Sequence, residues 1–473
     1  MDPQITLFKY IRKLKIPQKS KKETTVQEEI VEKIEQKRAE ITVVGLGRVG
    51  LLTAVMFAHS GFQVLGVDIK PEILKTVSSG NSPFKEAGIE QLIKKVVNNE
   101  KLEVIDDVPL AAKNADIGII CVQTPLTNDK TPNLSYIKKA CEDLGQGLSK
   151  GKLVVVESTV PPRTTKELVA RILEKRSGLK CGRDFWLAHC PERIWIGKAI
   201  EEFSQSPRIV GGYNPKSTEV ALKLYEKVTH GQILTSDCTS AEVAKVAENT
   251  FRDVNIAFAN ELALICERLN VDVMDVIQLA NTHPRVAIHK PGCGVGGPCL
   301  AKDPYLLIHS VDKGDFRSKL IETSRKLNDS MPEHTVELVA DGLKKAGKDI
   351  KTSRIVVLGT AYRGETSDCT NTPSEKIVRA LMQTGAEVVV YDPYCDESFG
   401  ARRAEELTHA VAEADCLVTA TDHLAFKTLQ LEEIKLLMNK VPVIVDGRRI
   451  VDYNEARNLG FIYLGVGSAR TQK

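Results

Sequence analysis

A chain of 473 residues, 42% hydrophobic and 27% charged with a formal net charge of +3, is too long for one ordinary core and too near neutrality for a nucleic-acid binder. No apolar run approaches the roughly 20 residues of a membrane-spanning helix. Eleven cysteines without CxxC pairs, and nine histidines without metal-ligand spacing, point to reduced thiols in a cytoplasmic protein rather than to disulfides or zinc.

Residues 1–39 read as a charged N-terminal extension. Its basic stretch LFKYIRKLKIPQKSKK sets Leu7, Phe8, Ile11 and Leu14 at roughly helical spacing, and a solvated tail is favoured over a membrane-surface helix. Residues 41–50, ITVVGLGRVG, read as a strand ending in a glycine loop. A helical pattern follows, then a second strand, FQVLGVD. Gly45, Gly47 and Gly50 occupy the GxGxxG frame, and Asp68 stands about twenty residues on, at the second strand's end. That β–α–β setting predicts a dinucleotide site. The helix N-terminus would take the pyrophosphate and Asp68 the ribose hydroxyls, which favours NAD over NADP. The strand-like runs ADIGIICVQTP and KLVVVESTVPP end in polar residues, which puts Thr124, Ser158 and Thr159 near the nicotinamide side.

Apolar spacing over 240–267 predicts one long amphipathic helix with Lys245 and Asn249 on a shared face, serving as a hub and a dimer interface. His283 and His289, beyond it, read as loop or surface residues. Residues 290–305, KPGCGVGGPCLAKDPY, set two cysteines among four glycines before a helical run. Two readings stay open there: a tight turn with inert thiols, or a thiol made nucleophilic by nearby amides at a helix start. The last third restarts as α/β with RIVVLGTAY and GAEVVVYDPY, and Asp392 falls where Asp68 falls in the first unit. GxGxxG spacing is absent, so a different phosphate-bearing ligand is expected, with Arg363 and Arg448 as charge partners. The expected fold is α/β: a Rossmann domain over 40–225, a central long-helix domain over 226–325 and a Rossmann-like domain over 326–473.

The segments GLGRVG, SPFKEAGI, QTPLT, ESTVPPRTT, HCPERIWIG, AEVAKVAENTFRDVNIAFANEL and GCGVGGPCLAKDP run in this order. Together they resemble the UDP-glucose/GDP-mannose dehydrogenase family. The resemblance implies a nucleotide-sugar 6-dehydrogenase that makes two NAD-dependent oxidations, alcohol to aldehyde to carboxylate, without releasing the aldehyde. It implies that Cys299 is the catalytic cysteine, forming a thiohemiacetal and then a thioester that water cleaves, and that Cys293 is incidental. Lys245 then stabilises charge on the reacting oxygen, Asn249 holds that oxygen or water, Asp303 orients or activates water, Thr124 supports the active-site water, and Glu192 joins this catalytic set as the first glutamate of the family's acidic pair. Cofactor contacts fall to Gly45, Gly47, Gly50, Asp68, Thr124, Thr159 and Lys302. Substrate contacts fall to Glu192, Arg193, Lys245, Asn249, Arg252, Arg285, Gly296, Arg363 and Arg448, with Arg285 reaching across a subunit interface in some members. No metal is implied.

Four positions depart from the family pattern. Ile196 stands where glucose-specific members carry a second glutamate, Arg163 where glycine is common, and Arg363 and Thr370 where lysine and arginine are usual. Ile196 beside Trp195 leaves an apolar wall suited to an acetamido methyl. The AENTFRDVNIAFANELALIC stretch is similar to the UDP-N-acetyl-D-mannosamine dehydrogenase branch. The substrate order implied is UDP-N-acetyl-D-mannosamine, then UDP-N-acetyl-D-glucosamine, then UDP-glucose, on a homodimer or higher homo-oligomer. A single-oxidation hydroxyacid dehydrogenase needs neither Cys299 nor a third domain, and a non-catalytic NAD-binding regulator would not need the Cys299–Lys245–Asn249–Asp303 set.

Overall fold

The computed structural model describes residues 26–84, 86–194, 197–311 and 316–469. The basic stretch of the extension, Trp195 and Ile196 therefore lie outside the described residues.

Two sheets carry the fold. The first is built from β1 (Glu40–Val44), β2 (Gln63–Val67), β3 (Leu102–Ile105), β4 (Ile117–Ile120), β5 (Leu153–Val156), β6 (Trp186–His189), β7 (Arg208–Gly212) and β8 (Ile233–Asp237), in spatial order 3-2-1-4-5-6-7-8. All neighbours are parallel except β6 and β7. The second contains β9 (Arg354–Leu358), β10 (Glu387–Tyr391), β11 (Arg402–Arg403), β12 (Cys416–Thr419), β13 (Val443–Asp446) and β14 (Ile462–Gly465), in order 11-10-9-12-13-14, parallel throughout. Unbroken apolar strands such as IGII and LVVV are buried along their whole length because helices cover both sheet faces. In both sheets the strand order reverses beside the first strand, between β1 and β4 and between β9 and β12. Doubly wound folds bind ligands at that crevice.

Between the sheets lies the 32-residue helix Cys238–Leu269, longer at both ends than the 240–267 expected. Asp237 caps it by accepting from Thr239 N and Ser240 N, and Asn270 ends it at φ 57°. It packs on the helix Lys319–Lys345.

Three boundaries differ from the sequence expectation. Within 1–39, the helix Val26–Glu35 buries Ile30 and Ile34 in the first core, and Lys227 pairs with Glu35 at 2.5 Å. Each such isoleucine contributes about 2 kcal/mol of burial, so the first core begins before residue 40. The boundary after 225 cuts off β8, which pairs with β7 in the first sheet. The boundary after 325 falls inside Lys319–Lys345, whose apolar face continues from the central domain onto the second sheet.

Candidate active site

Gly45 ends β1 at φ 93°, and a Cβ there would sit 2.9 Å from the Cys121 carbonyl oxygen. A Cβ at Gly50 would lie 1.8 Å from the Gly45 carbonyl oxygen, so the helix Arg48–His59 reaches the strand only because that side chain is absent. Gly47 differs: a Cβ there meets nothing within 4 Å, and it caps the helix without a side-chain hydrogen bond. The first helical amides therefore face open space, a site suited to an anion. Asp68 is half-buried at the end of β2, accepting from Leu46 N at 2.7 Å and Lys70 N at 3.0 Å. Its two oxygens retain lone pairs for ribose hydroxyls. The residues fit NAD, with pyrophosphate on the Gly47 amides. Thr124 and Thr159 are joined, Thr124 Oγ1 donating to Thr159 O at 2.5 Å, and Ser158 Oγ donates to Val122 O at 2.7 Å.

The cysteine loop is pinned to the second sheet and to the long helix. Cys293 is fully buried, its N donating to Gly447 O at 2.8 Å and its Sγ to Ala420 O at 3.4 Å. It anchors the loop to the second sheet. Gly292 N donates to Asn260 Oδ1 at 2.9 Å, and Asn260 Nδ2 to Asn328 Oδ1 at 2.9 Å. Asn328 in turn donates to Asp253, which pairs with the buried Arg325 at 2.5 Å. Gly296 lets the loop approach the C-terminal domain, since a Cβ would lie 2.7 Å from Asn371 O and 3.0 Å from Tyr362 Cβ. Gly297 N donates to Thr370 O at 2.8 Å, a role in which the Thr370 side chain takes no part. Arg448 reaches Ala420 O (2.7 Å), Gly294 O and Tyr362 O.

All eleven cysteines lie among the described residues, and Cys299 alone is exposed. Asp303, 1% exposed, opens the helix Asp303–Val311. It accepts from Asn249 Nδ2 at 2.6 Å and from Lys302 Nζ at 2.8 Å. The amides of Lys302 and Asp303 donate to the Cys299 carbonyl at 3.0 and 2.8 Å. They close the turn, so these two amides are directed at the Cys299 carbonyl and not at its sulfur. Solvent reaches Cys299, yet the surrounding protein and then the Asp303 charge push its thiol above the ordinary range, while Lys245, Lys302 and Arg252 pull it down. Lys245 is half-buried and pairs with no carboxylate among the described residues; its charge, after burial, holds the His189 imidazole down at about 3.

In the HCPER segment, Glu192 accepts from Arg193 N at 2.8 Å and from Arg208 Nη1 at 3.1 Å. Arg193 pairs with Glu248 at 2.7 Å, which docks the segment on the helix turn that carries Lys245 and Asn249. Arg252 is half-buried on the next turn, and its charge reaches both Cys299 and His289. Arg363 lies over the Tyr362 ring at 5.7 Å, and burial pushes the Tyr362 hydroxyl up while the Arg363 charge pulls it down. Arg163, at φ 75°, offers its N to Glu242 at 2.6 Å, which explains why glycine is the common residue there. Arg285 does not converge: it is exposed on the segment after the helix Val273–Ala280. Sequence reasoning missed Asn260, Asn328, Arg325, Glu157 and Arg208, all buried polar groups whose partners lie far off in sequence.

Three descriptions cover most of the chain: the UDP-glucose/GDP-mannose dehydrogenase family NAD binding domain over residues 39–229, its central domain over 239–330 and its UDP binding domain over 356–453. The UDP-N-acetyl-D-mannosamine dehydrogenase of Pyrococcus horikoshii is 44% identical over 428 residues, 90% of this chain and 99% of its own length. The solved structure of UDP-D-ManNAc dehydrogenase from that organism matches with TM-score 0.86 at 43% identity, covering 91% of this chain and all of the other. The crystal structure of NDP-N-acetyl-D-galactosaminuronic acid dehydrogenase from Methanosarcina mazei matches with TM-score 0.83 at 36% identity, covering 93% and 98%. An open helix N-terminus on the first sheet, an exposed thiol beside a buried carboxylate and the three matched domains lead to one conclusion: the chain belongs to the UDP-glucose/GDP-mannose dehydrogenase family and is an NAD-dependent UDP-sugar dehydrogenase.

Proposed function

We propose that the chain oxidises the 6-hydroxyl of UDP-N-acetyl-D-mannosamine twice, to UDP-N-acetyl-D-mannosaminuronate, with Cys299 as the covalent carrier of the second step. The observation that carries this reading is the exposed Cys299 thiol one helical turn from the buried Asp303–Asn249–Lys302 cluster, in a chain 44% identical to a UDP-N-acetyl-D-mannosamine dehydrogenase. Bound NAD supplies a hydride acceptor for each oxidation. Lys245, paired with no carboxylate among the described residues, stabilises the alkoxide that develops on the sugar oxygen and later the oxyanion of the thiohemiacetal. The Cys299 sulfur bonds to the aldehyde carbon as the C=O π bond opens to the oxyanion and the thiol proton passes to water. Loss of hydride from that carbon gives a thioester, and water adds to cleave the C–S bond, releasing carboxylate and thiol. Asp303 orients that water. Asn249 and Lys302 keep Asp303 fixed, since an unpaired buried carboxylate would be costly. Thr124 and Thr159 line the nicotinamide side, Glu192, Arg193 and Arg252 hold the sugar, and Gly296, Arg363 and Arg448 hold the UDP.

The likeness to an NDP-N-acetyl-D-galactosaminuronic acid dehydrogenase favours, as a second reading, another acetamido sugar such as UDP-N-acetyl-D-glucosamine. Comparing kcat/KM on UDP-N-acetyl-D-mannosamine, UDP-N-acetyl-D-glucosamine and UDP-glucose tests both. Preference for UDP-glucose would refute the acetamido reading. The eleven free cysteines support a reducing, cytoplasmic setting. Phe251, Phe258, Ile265 and Leu269 form an exposed stripe on Cys238–Leu269, which supports a homodimer built on that helix with Arg285 completing the partner's pocket. A monomer in light scattering at working concentration would refute it.

A further inference from the structure

We propose that Arg208 is a positioning residue of the active site: its buried guanidinium fixes the Glu192 carboxylate on the substrate side and ties it, through the Tyr225–Glu157 pair, to the helix that carries the dinucleotide loop. The inference rests on the reading of Glu192 as a sugar-holding residue.

Arg208 opens β7 and is 4% exposed. A lone buried cation would cost several kcal/mol, so its donors must be matched. They are: Nη1 donates to Glu192 Oε2 at 3.1 Å, Nε to Thr229 Oγ1 at 3.2 Å and Nη2 to Phe203 O at 3.1 Å. The guanidinium lies 4.4 Å from the Phe203 ring centroid and 5.1 Å from that of Tyr225, so its plane is fixed as well as its donors. Tyr225 then donates to Glu157 Oε1 at 2.6 Å. The other Glu157 oxygen accepts from Thr53 Oγ1 at 2.7 Å and Cys121 Sγ at 3.2 Å. Thr53 belongs to the helix Arg48–His59, and Cys121 is the residue that Gly45 and Gly50 are small enough to approach. One buried polar network therefore runs from beneath the NAD cradle to the substrate-side carboxylate. Burial, with the Glu192 charge adding to it, pushes Glu157 up. The Arg208 charge and the Tyr225 and Thr53 hydroxyls pull it back, and Arg208 holds Glu192 by a charge-assisted bond.

A filler of the core would affect stability alone, whereas a positioning cation affects turnover in a folded enzyme. The test is Arg208→Gly in the full-length protein with UDP-N-acetyl-D-mannosamine and NAD, checked for fold by circular dichroism. The expected result is kcat down about 100-fold, KM for the sugar within about threefold, and recovery of about tenfold or more with tens of millimolar guanidinium but not methylammonium. Glu192→Gln should lower kcat comparably, and the double variant should lose little more than either single one. Where Arg208→Gly does not fold, Arg208→Lys decides: its ammonium keeps the buried charge but cannot span three acceptors, so kcat should fall about tenfold in a folded protein. A folded Arg208→Gly that guanidinium does not restore, multiplicative losses in the double variant, or wild-type kcat in Arg208→Lys each overturn the inference. If Glu192→Gln itself keeps full kcat and KM, the sugar-holding reading of Glu192 fails first, and the inference falls with it.

Discussion

The two sheets share a strand order around their switch points and place an aspartate at the same spot, yet only the first is left open for a dinucleotide. Asp68 accepts from two backbone amides and stays half exposed. Asp392, 3% exposed, is saturated: Thr360 N, Ala361 N, Tyr394 N, Cys395 N and His423 Nε2 all donate to it within 3.1 Å. The helix starts differ in the same sense. Gly47 leaves its helix uncapped, whereas Thr372 caps Pro373–Gln383 by accepting from Ser374 N. In the second half the cysteine loop instead sits at the C-terminal ends of β12 and β13, through Cys293 on Ala420 and Gly447. Topology sets where a ligand can bind, and completion of local hydrogen bonds sets which half takes the dinucleotide.

The largest test of that contrast exchanges effects between the two aspartates. Asp392→Ala leaves several buried donors unpaired and is expected to cost about 3–5 kcal/mol of stability with NAD affinity unchanged. Asp68→Ala is expected to weaken NAD about 10- to 100-fold, or about 1.4–2.7 kcal/mol, while moving the melting temperature little. Thermal unfolding and NAD titration on both variants check this, and equal NAD loss in both would break the contrast. A smaller test makes the first half resemble the second. Gly47 has extended backbone and room for a side chain, so Gly47→Asp should cap its helix, raise stability by about 1 kcal/mol and weaken NAD about tenfold by placing a carboxylate where pyrophosphate belongs. Thr372→Ala, its counterpart, should cost about 1 kcal/mol and leave NAD binding alone.

The smallest effect sharpens the chemistry between the halves. Because Asp303 raises the Cys299 thiol, Asp303→Asn should bring the thiol pKa down and speed iodoacetamide labelling at pH 7.5 by about three- to tenfold. Slower labelling would mean that Asp303 deprotonates the thiol rather than opposing its charge.

The first half and the long helix are legible in the sequence because each depends on short-range spacing, GxGxxG before a helix and apolar residues every three or four positions, whereas Cys299 stands out only through the seven motifs of the family resemblance. The rest depends on partners distant in the chain. Ile30 and Ile34 sit in a strongly charged segment, and nothing local announces that they reach the first core. Arg208 stands at the head of an apolar strand, 51 residues from Glu157 and 16 from Glu192, so its charge reads as an edge feature until the sheet is folded. The Lys302 and Asp303 amides follow Cys299 directly, but only the turn geometry sends them to its carbonyl and not to its sulfur. Cys293 has the same history: its place in the motif carries no signal, and its hydrogen bonds to Ala420 and Gly447 supply the reason for it.

The claim on which the account turns is that one chain performs both oxidations with the aldehyde held on Cys299. Its most direct test is a single-turnover experiment, with enzyme and NAD in excess over UDP-N-acetyl-D-mannosamine, counting NADH per sugar by absorbance and inspecting Cys299 by mass spectrometry after an acid quench. The account predicts about two NADH per sugar, a sugar thioester on the Cys299 peptide at early times, and no thioester and no second NADH from Cys299→Ala. Two NADH per sugar from Cys299→Ala at the wild-type rate would contradict it.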